Sequence, residues 1–331
     1  MKNKKDFVSI IVPCRDIDKY TKECIRHCNK LNYGNYEILL LPDKKNGKLQ
    51  GIKTEKPREL RIIATGSIKP GEKRNMAMKK ARGEIYAFID SDAYPEKNWL
   101  KNAVRYFSNI RIGIVGGPNL TPKADNFRQK ISGMLLANWL CAGPRASIRY
   151  RAAKKQFTPE LPTCNLLVRK DAVKNFNLKF KPELLTEEDS KFCFEMAKNG
   201  KKVLYVPDAV VYHHRREAFL PHLRQIWIYG RDVAFLFKKE ISPVMLYYTL
   251  LPLFVLGVIA GAILSFFSIF IKTMYLASIL LYLAITLASS IKKDIKTTFM
   301  LFLGIIATHF AYGLGFLYGL LSKNRAGLNV R

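Results

Sequence analysis

The 331-residue sequence is short of acid, with 26 Asp and Glu against 55 Lys and Arg and a formal charge of +29. A chain this basic attracts polyanions: nucleic acid, anionic lipid headgroups or phosphorylated small molecules. It also lacks paired cysteines. Cys14, Cys24, Cys28, Cys141, Cys164 and Cys193 are scattered, which argues against a disulfide framework and suits reduced thiols in a cytosol. Cys24 and Cys28, with His27 between them, find no partners at zinc-motif spacing. There is no P-loop, no dinucleotide-binding glycine fingerprint and no serine nucleophile elbow. No signal peptide is expected either, since residues 1–6 are basic and polar and the apolar run after them is too short. Long apolar runs are missing from the first two thirds and crowd the sequence after Pro243.

What is present is an alternation of strand and helix signals. Residues 8–12 are β-rich and end at Pro13, and a helical stretch follows over about 19–31. Strands are expected at 36–41 and 60–64, a helix at about 72–81, and a strand at 85–89 after Gly83. This order predicts a parallel α/β arrangement, whose ligands gather at the carboxyl ends of the strands. Those ends fall at Pro13 to Asp16, at Asp43, and at Asp90 to Asp92. Residues 112–210 are mixed, with a helix from near Thr186 to Gly200 and short strands at 203–206 and 209–212. No linker interrupts residues 1–218, which are expected to form one domain.

The remaining chain reads differently. Over residues 219–242, Phe219, Leu223, Ile226, Trp227, Gly230, Val233, Ala234 and Phe237 recur at helical spacing. Arg224, Gln225, Arg231, Asp232 and Lys238 take the other face. Either an amphipathic helix in the membrane interface or a helix packed on the domain core fits this pattern. Residues 243–331 predict a membrane anchor of two to three transmembrane helices. The segments 243–271 and 297–321 exceed the roughly 20 apolar residues a bilayer requires, and 273–290 is marginal. Lys292, Lys293 and Lys296 are expected on the cytosolic side. Three spans would put Lys323, Arg325 and Arg331 outside, so the parity stays open.

The sharpest chemical signal is Phe88-Ile89-Asp90-Ser91-Asp92, two acids at the end of a buried strand. Alternation along an extended chain sets Asp90 and Asp92 on one side, where hard oxygen ligands suit Mg²⁺ or Mn²⁺. A turn carrying two solvated acids is the plainer alternative. The runs Gly71-Glu72-Lys73-Arg74-Asn75, Ala81-Arg82-Gly83-Glu84 and Ala87-Phe88-Ile89-Asp90-Ser91-Asp92, with the opening Val8-Ser9-Ile10-Ile11-Val12-Pro13, together resemble glycosyltransferase family 2. The resemblance covers about residues 7–235. It implies the GT-A fold, a mixed α/β sheet flanked by helices, and an inverting, metal-dependent sugar transferase.

The same resemblance implies roles for individual residues. Pro13 and Arg15 sit where the first loop borders the nucleotide. Asp43 stands where an acid contacts the base, although Leu41-Pro42-Asp43-Lys44-Lys45 departs from the family's two acids followed by Gly-Ser. Arg74 and Asn75 match a pair near ribose and phosphate. Asp92 is the expected metal ligand, with Asp90 and Ser91 supporting the donor. In Thr186-Glu187-Glu188-Asp189, Asp189 is the expected catalytic base. Glu188 and Asn165 fall on the acceptor side, where Cys164 replaces a small residue. In Tyr212-His213-His214-Arg215-Arg216, His213 rather than His214 is expected to complete the metal shell.

An apolar stretch of Phe127, Ile131, Met134, Leu135, Trp139 and Leu140 precedes Arg145, Arg149, Arg151, Lys154 and Lys155. It reads as a membrane-touching loop whose bases hold a lipid phosphate, or as a core helix followed by a solvated loop. The Gln-x-x-Arg-Trp motif of processive synthases is absent, which favours addition of a single sugar. The expectation is therefore a multi-pass protein of the cell membrane with a cytoplasmic catalytic domain. It would take a nucleotide-sugar donor, Mg²⁺ or Mn²⁺ and a lipid-linked or glycan acceptor, and would contact membrane lipids but no nucleic acid. Two rivals stand beside it: a nucleotidyltransferase of similar fold, and a non-catalytic membrane protein that binds glycans.

Overall fold

The computed structural model describes residues 6–44, 59–181, 188–239 and 246–322. They group into two compact units, Met1–Lys123 with Ile148–His214, and Ala124–Ser147 with Arg215–Arg331. This grouping differs from a cut at residue 218, because the segment around Phe127 to Leu140 joins the C-terminal part of the chain.

The first unit is built on an eight-stranded sheet in the order β3-β2-β1-β4-β9-β6-β10-β8. Its strands are β1 (Val8–Pro13), β2 (Tyr36–Leu41), β3 (Glu59–Ile62), β4 (Ile85–Phe88), β6 (Ile112–Gly116), β8 (Gln156–Phe157), β9 (Leu166–Arg169) and β10 (Lys202–Tyr205). The first four are parallel, as the sequence predicts. β9 inserts antiparallel between β4 and β6 and makes the sheet mixed. Alternation along the central strands fills two cores. Ile10, Val12, Ile38 and Leu40 enter one, and Ile11, Leu39, Leu41 and Phe88 the other. A sheet covered on both faces needs such continuous apolar strands.

Local chemistry sets the flanking helices. The side chain of Asp18 caps α1 (Lys19–Cys28) by accepting from Thr21 N at 2.8 Å. Pro70 opens α2 (Pro70–Lys80), a position where its missing N–H costs nothing. Gly83 is required by close approach, because a Cβ there would meet Ser9 N at 2.5 Å. Its own N–H donates to Ser9 Oγ, which in turn donates to the buried Glu37. A second, three-stranded sheet orders β5 (Ala93–Pro95), β11 (Val211–His213) and β7 (Asn119–Leu120) as β5-β11-β7. The helix expected from Thr186 is α7 (Glu188–Lys198) among the described residues, and Thr186 and Glu187 lie outside them.

The second unit contains α4 (Phe127–Ala137), α5 (Trp139–Ser147), α8 (Leu220–Lys239), α9 (Leu250–Leu264), α10 (Ile269–Ser290) and α11 (Ile295–Leu321). α8 departs from the expected polar face. Arg231 and Asp232 are each only 3% exposed and pair with each other at 2.8 Å. The cause is its backbone-close packing on α11. A Cβ at Gly230 would strike the Tyr312 carbonyl, and one at Gly315 the Trp227 carbonyl. The apolar tail is also partitioned differently. Ser268 caps α10 and starts it before Lys272, giving 22 residues where a marginal segment is expected. The 243–271 segment contributes the 15 residues of α9 and the first three of α10, and its start at Pro243 lies outside the described residues. α10 and α11 are long and apolar enough to cross a membrane, each with a mean hydropathy of 1.8. Lys323, Arg325 and Arg331 lie outside the described residues.

Candidate active site

β4 ends at Phe88, so Asp90 and Asp92 do not share a side by strand alternation. A tight turn brings them together instead, closed by Ala93 N donating to Asp90 O at 3.1 Å. β11 then pairs with β5 and sets His213 opposite Ala93. His213 Nε2 lies 3.1 Å from Asp92 Oδ1, and ligand atoms of Asp90, Asp92 and His213 all lie within 4.8 Å of one another. Two carboxylates and an imidazole converging at an exposed strand end fit a hard divalent cation such as Mn²⁺ or Mg²⁺. Burial pulls the His213 imidazole down, and the adjoining Asp92 carboxylate overrides that and raises it to about 10. His214 turns away, 3.0 Å from Glu23 Oε2 and against the Tyr20 ring.

Arg74, on α2, ties the turn to α7. It is 4% exposed, donates from Nη2 to Asp90 Oδ1 at 2.9 Å and pairs through Nη1 with Glu188. Its guanidinium also lies over the Phe180 ring, and its buried Nε has no hydrogen-bond partner among the described residues. Gly71 makes room, since a Cβ there would collide with the Glu188 carboxylate. Burial raises Glu188 to about 7 against the opposing charge of Arg74. It raises Asp189 to about 6, opposed by Arg149 and reinforced by Glu160. Asp189 accepts from Ser190 N at 2.9 Å and from Thr163 N at 3.3 Å. Two adjacent acids whose protons are held near neutrality can give or take one under ordinary conditions.

Residues 5–229 match the family described as glycosyltransferase like family 2. The chain belongs to this family. It is a glycosyltransferase that uses a nucleotide-sugar, and membership sets aside the nucleotidyltransferase and the non-catalytic glycan-binding readings. A dolichyl N-acetyl-alpha-D-glucosaminyl phosphate 3-beta-D-2,3-diacetamido-2,3-dideoxy-beta-D-glucuronosyltransferase of Methanococcus voltae is 24% identical, over 96% of this chain and 98% of that protein. The glycosyltransferase AglE of Haloferax volcanii is 25% identical, over 63% of this chain and 67% of its own. Among solved structures, the mannosyltransferase PcManGT of Pyrobaculum calidifontis, in complex with GDP-Man and Mn²⁺, superposes with a TM-score of 0.63. It is 16% identical, and the match covers 97% of this chain and 89% of that one. That likeness assigns the GT-A fold.

The other expected site residues of this glycosyltransferase divide into two groups. Pro13 ends β1, and the Arg15 carbonyl accepts from Asp43 N at 3.0 Å, joining the first two strand ends. The Arg15 side chain is largely exposed, and Ser91 is half-buried in the turn. The sequence assigns Lys73 no role. It is buried, pairs with the Asp43 carboxylate and donates to Cys14 O at 2.5 Å and Leu41 O at 3.3 Å, so one ammonium fastens both strand ends. Only its place beside Arg74 could have marked it.

Two further residues have their side chains engaged within the protein. Asn75, expected near ribose and phosphate, commits both ends of its carboxamide to the Phe180 backbone, at 2.8 and 2.9 Å. Asn165, expected on the acceptor side, is 0% exposed. Its carboxamide accepts from Trp99 Nε1 and donates to Pro118 O and Ala209 O. A buried amide with both its oxygen and its nitrogen engaged is a structural hub. Arg149, from the basic run after Leu140, pairs with Glu160 and its side chain is 15% exposed.

Proposed function

We propose that this glycosyltransferase transfers one sugar, with inversion and with a divalent metal, from a nucleotide-sugar to a lipid-linked acceptor at the cytoplasmic membrane face. The observation that carries the reading is the convergence of Asp90, Asp92 and His213, joined through Arg74 to Glu188 beside Asp189. Asp92, Asp90 and His213 would hold Mg²⁺ or Mn²⁺, which when bound supplies positive charge to a departing nucleoside diphosphate. Arg74 keeps Asp90 oriented through the bond from Nη2 at 2.9 Å. Pro13, Arg15 and Asp43 border the nucleotide, with Lys73 holding Asp43 in place. Asp189 accepts the proton of the attacking hydroxyl, and its elevated affinity for protons suits a base working near neutrality. Attack from the Asp189 side, opposite the diphosphate, inverts the sugar centre.

Three observations support a lipid-linked acceptor: α10 and α11 in the same chain, the excess of +29 charges, and the dolichyl phosphate in the name of the Methanococcus voltae relative. α10 crosses the bilayer in this reading, because the most apolar stretch of it is only 6% buried and so presents apolar side chains on every side. The test is to incubate membranes containing the protein with Mn²⁺ and a panel of radiolabelled nucleotide-sugars, then extract the lipids. Label should enter the organic phase with release of nucleoside diphosphate. Chelation or Asp92→Ala should abolish it. Label confined to water-soluble glycans would overturn the acceptor assignment, and transfer indifferent to chelation would overturn the metal.

A further inference from the structure

Helix α4 docks only part of its apolar surface. Ile131 and Leu135 are fully buried against Leu301 and Ile305 of α11, and the Leu135 side chain occupies the space a Cβ at Gly304 would need. The stripe beside them is left open. Phe127 is 38% exposed, Met134 40% and Trp139, just past the helix end, 57%.

Contacts within this unit fix the level of the stripe along the apolar helices. Lys296 Nζ lies 4.7 Å over the Phe127 ring, and Asn138 Nδ2 donates to Ser289 Oγ at 2.8 Å. The stripe therefore begins beside Lys296 and runs inward along α11: Asn138 meets Ser289, three residues before Lys292, while the Leu140 carbonyl on the other side of Trp139 accepts from His309 Nε2 at 2.9 Å. Lys292, Lys293 and Lys296 are all exposed there. At the far end of α10 stands Lys272. From Lys272 to Lys292 is about 30 Å at 1.5 Å per residue, the thickness of a hydrocarbon core. Tryptophan settles where hydrocarbon meets headgroups, and lysines at that level attract anionic lipid.

We infer that Phe127, Met134 and Trp139 form a foot inserted from the headgroup boundary into the adjoining hydrocarbon, and that Lys292, Lys293 and Lys296 at its outer end bind anionic phospholipid. The inference rests on reading α10 and α11 as membrane helices, and its test separates the two.

The full chain is reconstituted in nanodiscs of phosphatidylcholine with or without phosphatidylglycerol. Tryptophan fluorescence is quenched with lipids brominated near the headgroup or near the chain end. All quenching samples carry Trp227→Phe, because Trp227 is half-buried against Tyr318. In that background the protein should be quenched more strongly by the shallow bromines, and Trp139→Phe should lose that component, since Trp99 is fully buried in the other unit. Spin-labelled phosphatidylglycerol should be preferred over phosphatidylcholine by at least about threefold, falling to parity in the Lys292→Gln, Lys293→Gln, Lys296→Gln variant. Unchanged shallow quenching in Trp139→Phe, or parity in the wild type, overturns the inference alone. Absence of all quenching overturns it together with the membrane reading. Shallow quenching that appears only at one copy per disc assigns the face to a second copy of the chain and also overturns it.

Discussion

Arg74 stands between Asp90 and Glu188, donating to the first at 2.9 Å and pairing with the second. One guanidinium thus couples the turn that carries the proposed metal-ligating acids to the helix that carries the proposed base, 114 residues apart in sequence from Arg74 to Glu188. Replacement by an apolar residue of similar length strands Glu188 as a buried acid without its counter-charge. Arg74→Met is expected to lower stability by about 3 kcal/mol or more and to cut kcat/KM at least about 100-fold by freeing Asp90. Adding Glu188→Gln should restore most of the melting temperature but little activity. A melting temperature within a degree or so of wild type in the single variant would show that the pair contributes nothing.

The two raised acids set the pH response. Asp189 rises from 3.8 to about 6 and Glu188 from 4.5 to about 7, each chiefly through burial. Below those values the folded protein holds protons that the unfolded chain has released, so their contribution to stability is full in acid and is lost as pH rises from about 4 to about 7. Activity runs the other way, because a base must be unprotonated: kcat/KM should fall as pH drops through about 6. Asp189→Asn should keep donor affinity while losing roughly 10²-fold to 10⁴-fold in turnover. Near-normal turnover in that variant removes Asp189 as the base, and a profile flat through the same range removes both acids.

His213 and His214 offer an internal control for the metal. His213 lies against Asp92, and His214 is engaged by Glu23. His213→Ala should weaken Mn²⁺ binding about tenfold or more, followed by electron paramagnetic resonance without donor. His214→Ala should leave that affinity unchanged. Equal losses in both variants would mean that neither histidine is a ligand and that the effect is a loosened β11.

The strand-end acids were legible in the sequence because a β-rich run pointed straight at them, and local periodicity carries that much. The means of bringing them together was not. A turn, and a strand arriving more than 100 residues later, does what alternation was expected to do. Lys73 is illegible in the sequence for the same reason. A lysine beside an arginine looks like a solvated helix face, and its partners Cys14, Leu41 and Asp43 lie 59, 32 and 30 residues away. In the tail, hydropathy marked the apolar runs but not their breaks, which Ser268 and Asp294 set as helix caps. The buried Arg231 and Asp232 follow from the glycine-lined approach of α11 to α8, a tertiary fact invisible to the pattern of either helix alone.

Asn165 decides between a structural and an acceptor-side role for the segment after Pro162. Its side chain bonds Trp99 Nε1 at 2.8 Å, Ala209 O at 2.8 Å and Pro118 O at 3.0 Å, and no part of it reaches solvent. Asn165→Ala strands the Trp99 donor and the Ala209 acceptor, each costing about 1–3 kcal/mol when left unmade, while Pro118 O keeps the bond from Val211 N at 3.0 Å. Because β9 begins at Leu166 and pairs with β4, the loss is felt in the sheet that positions Asp90. The expected outcome is a melting temperature lower by several degrees, with KM for the acceptor unchanged in the folded fraction. Trp99→Phe removes only one of the three bonds and should cost correspondingly less. Should Asn165→Ala raise acceptor KM while leaving the melting temperature intact, the carboxamide must reach acceptor in a conformation more open than this one, and the hub assignment fails.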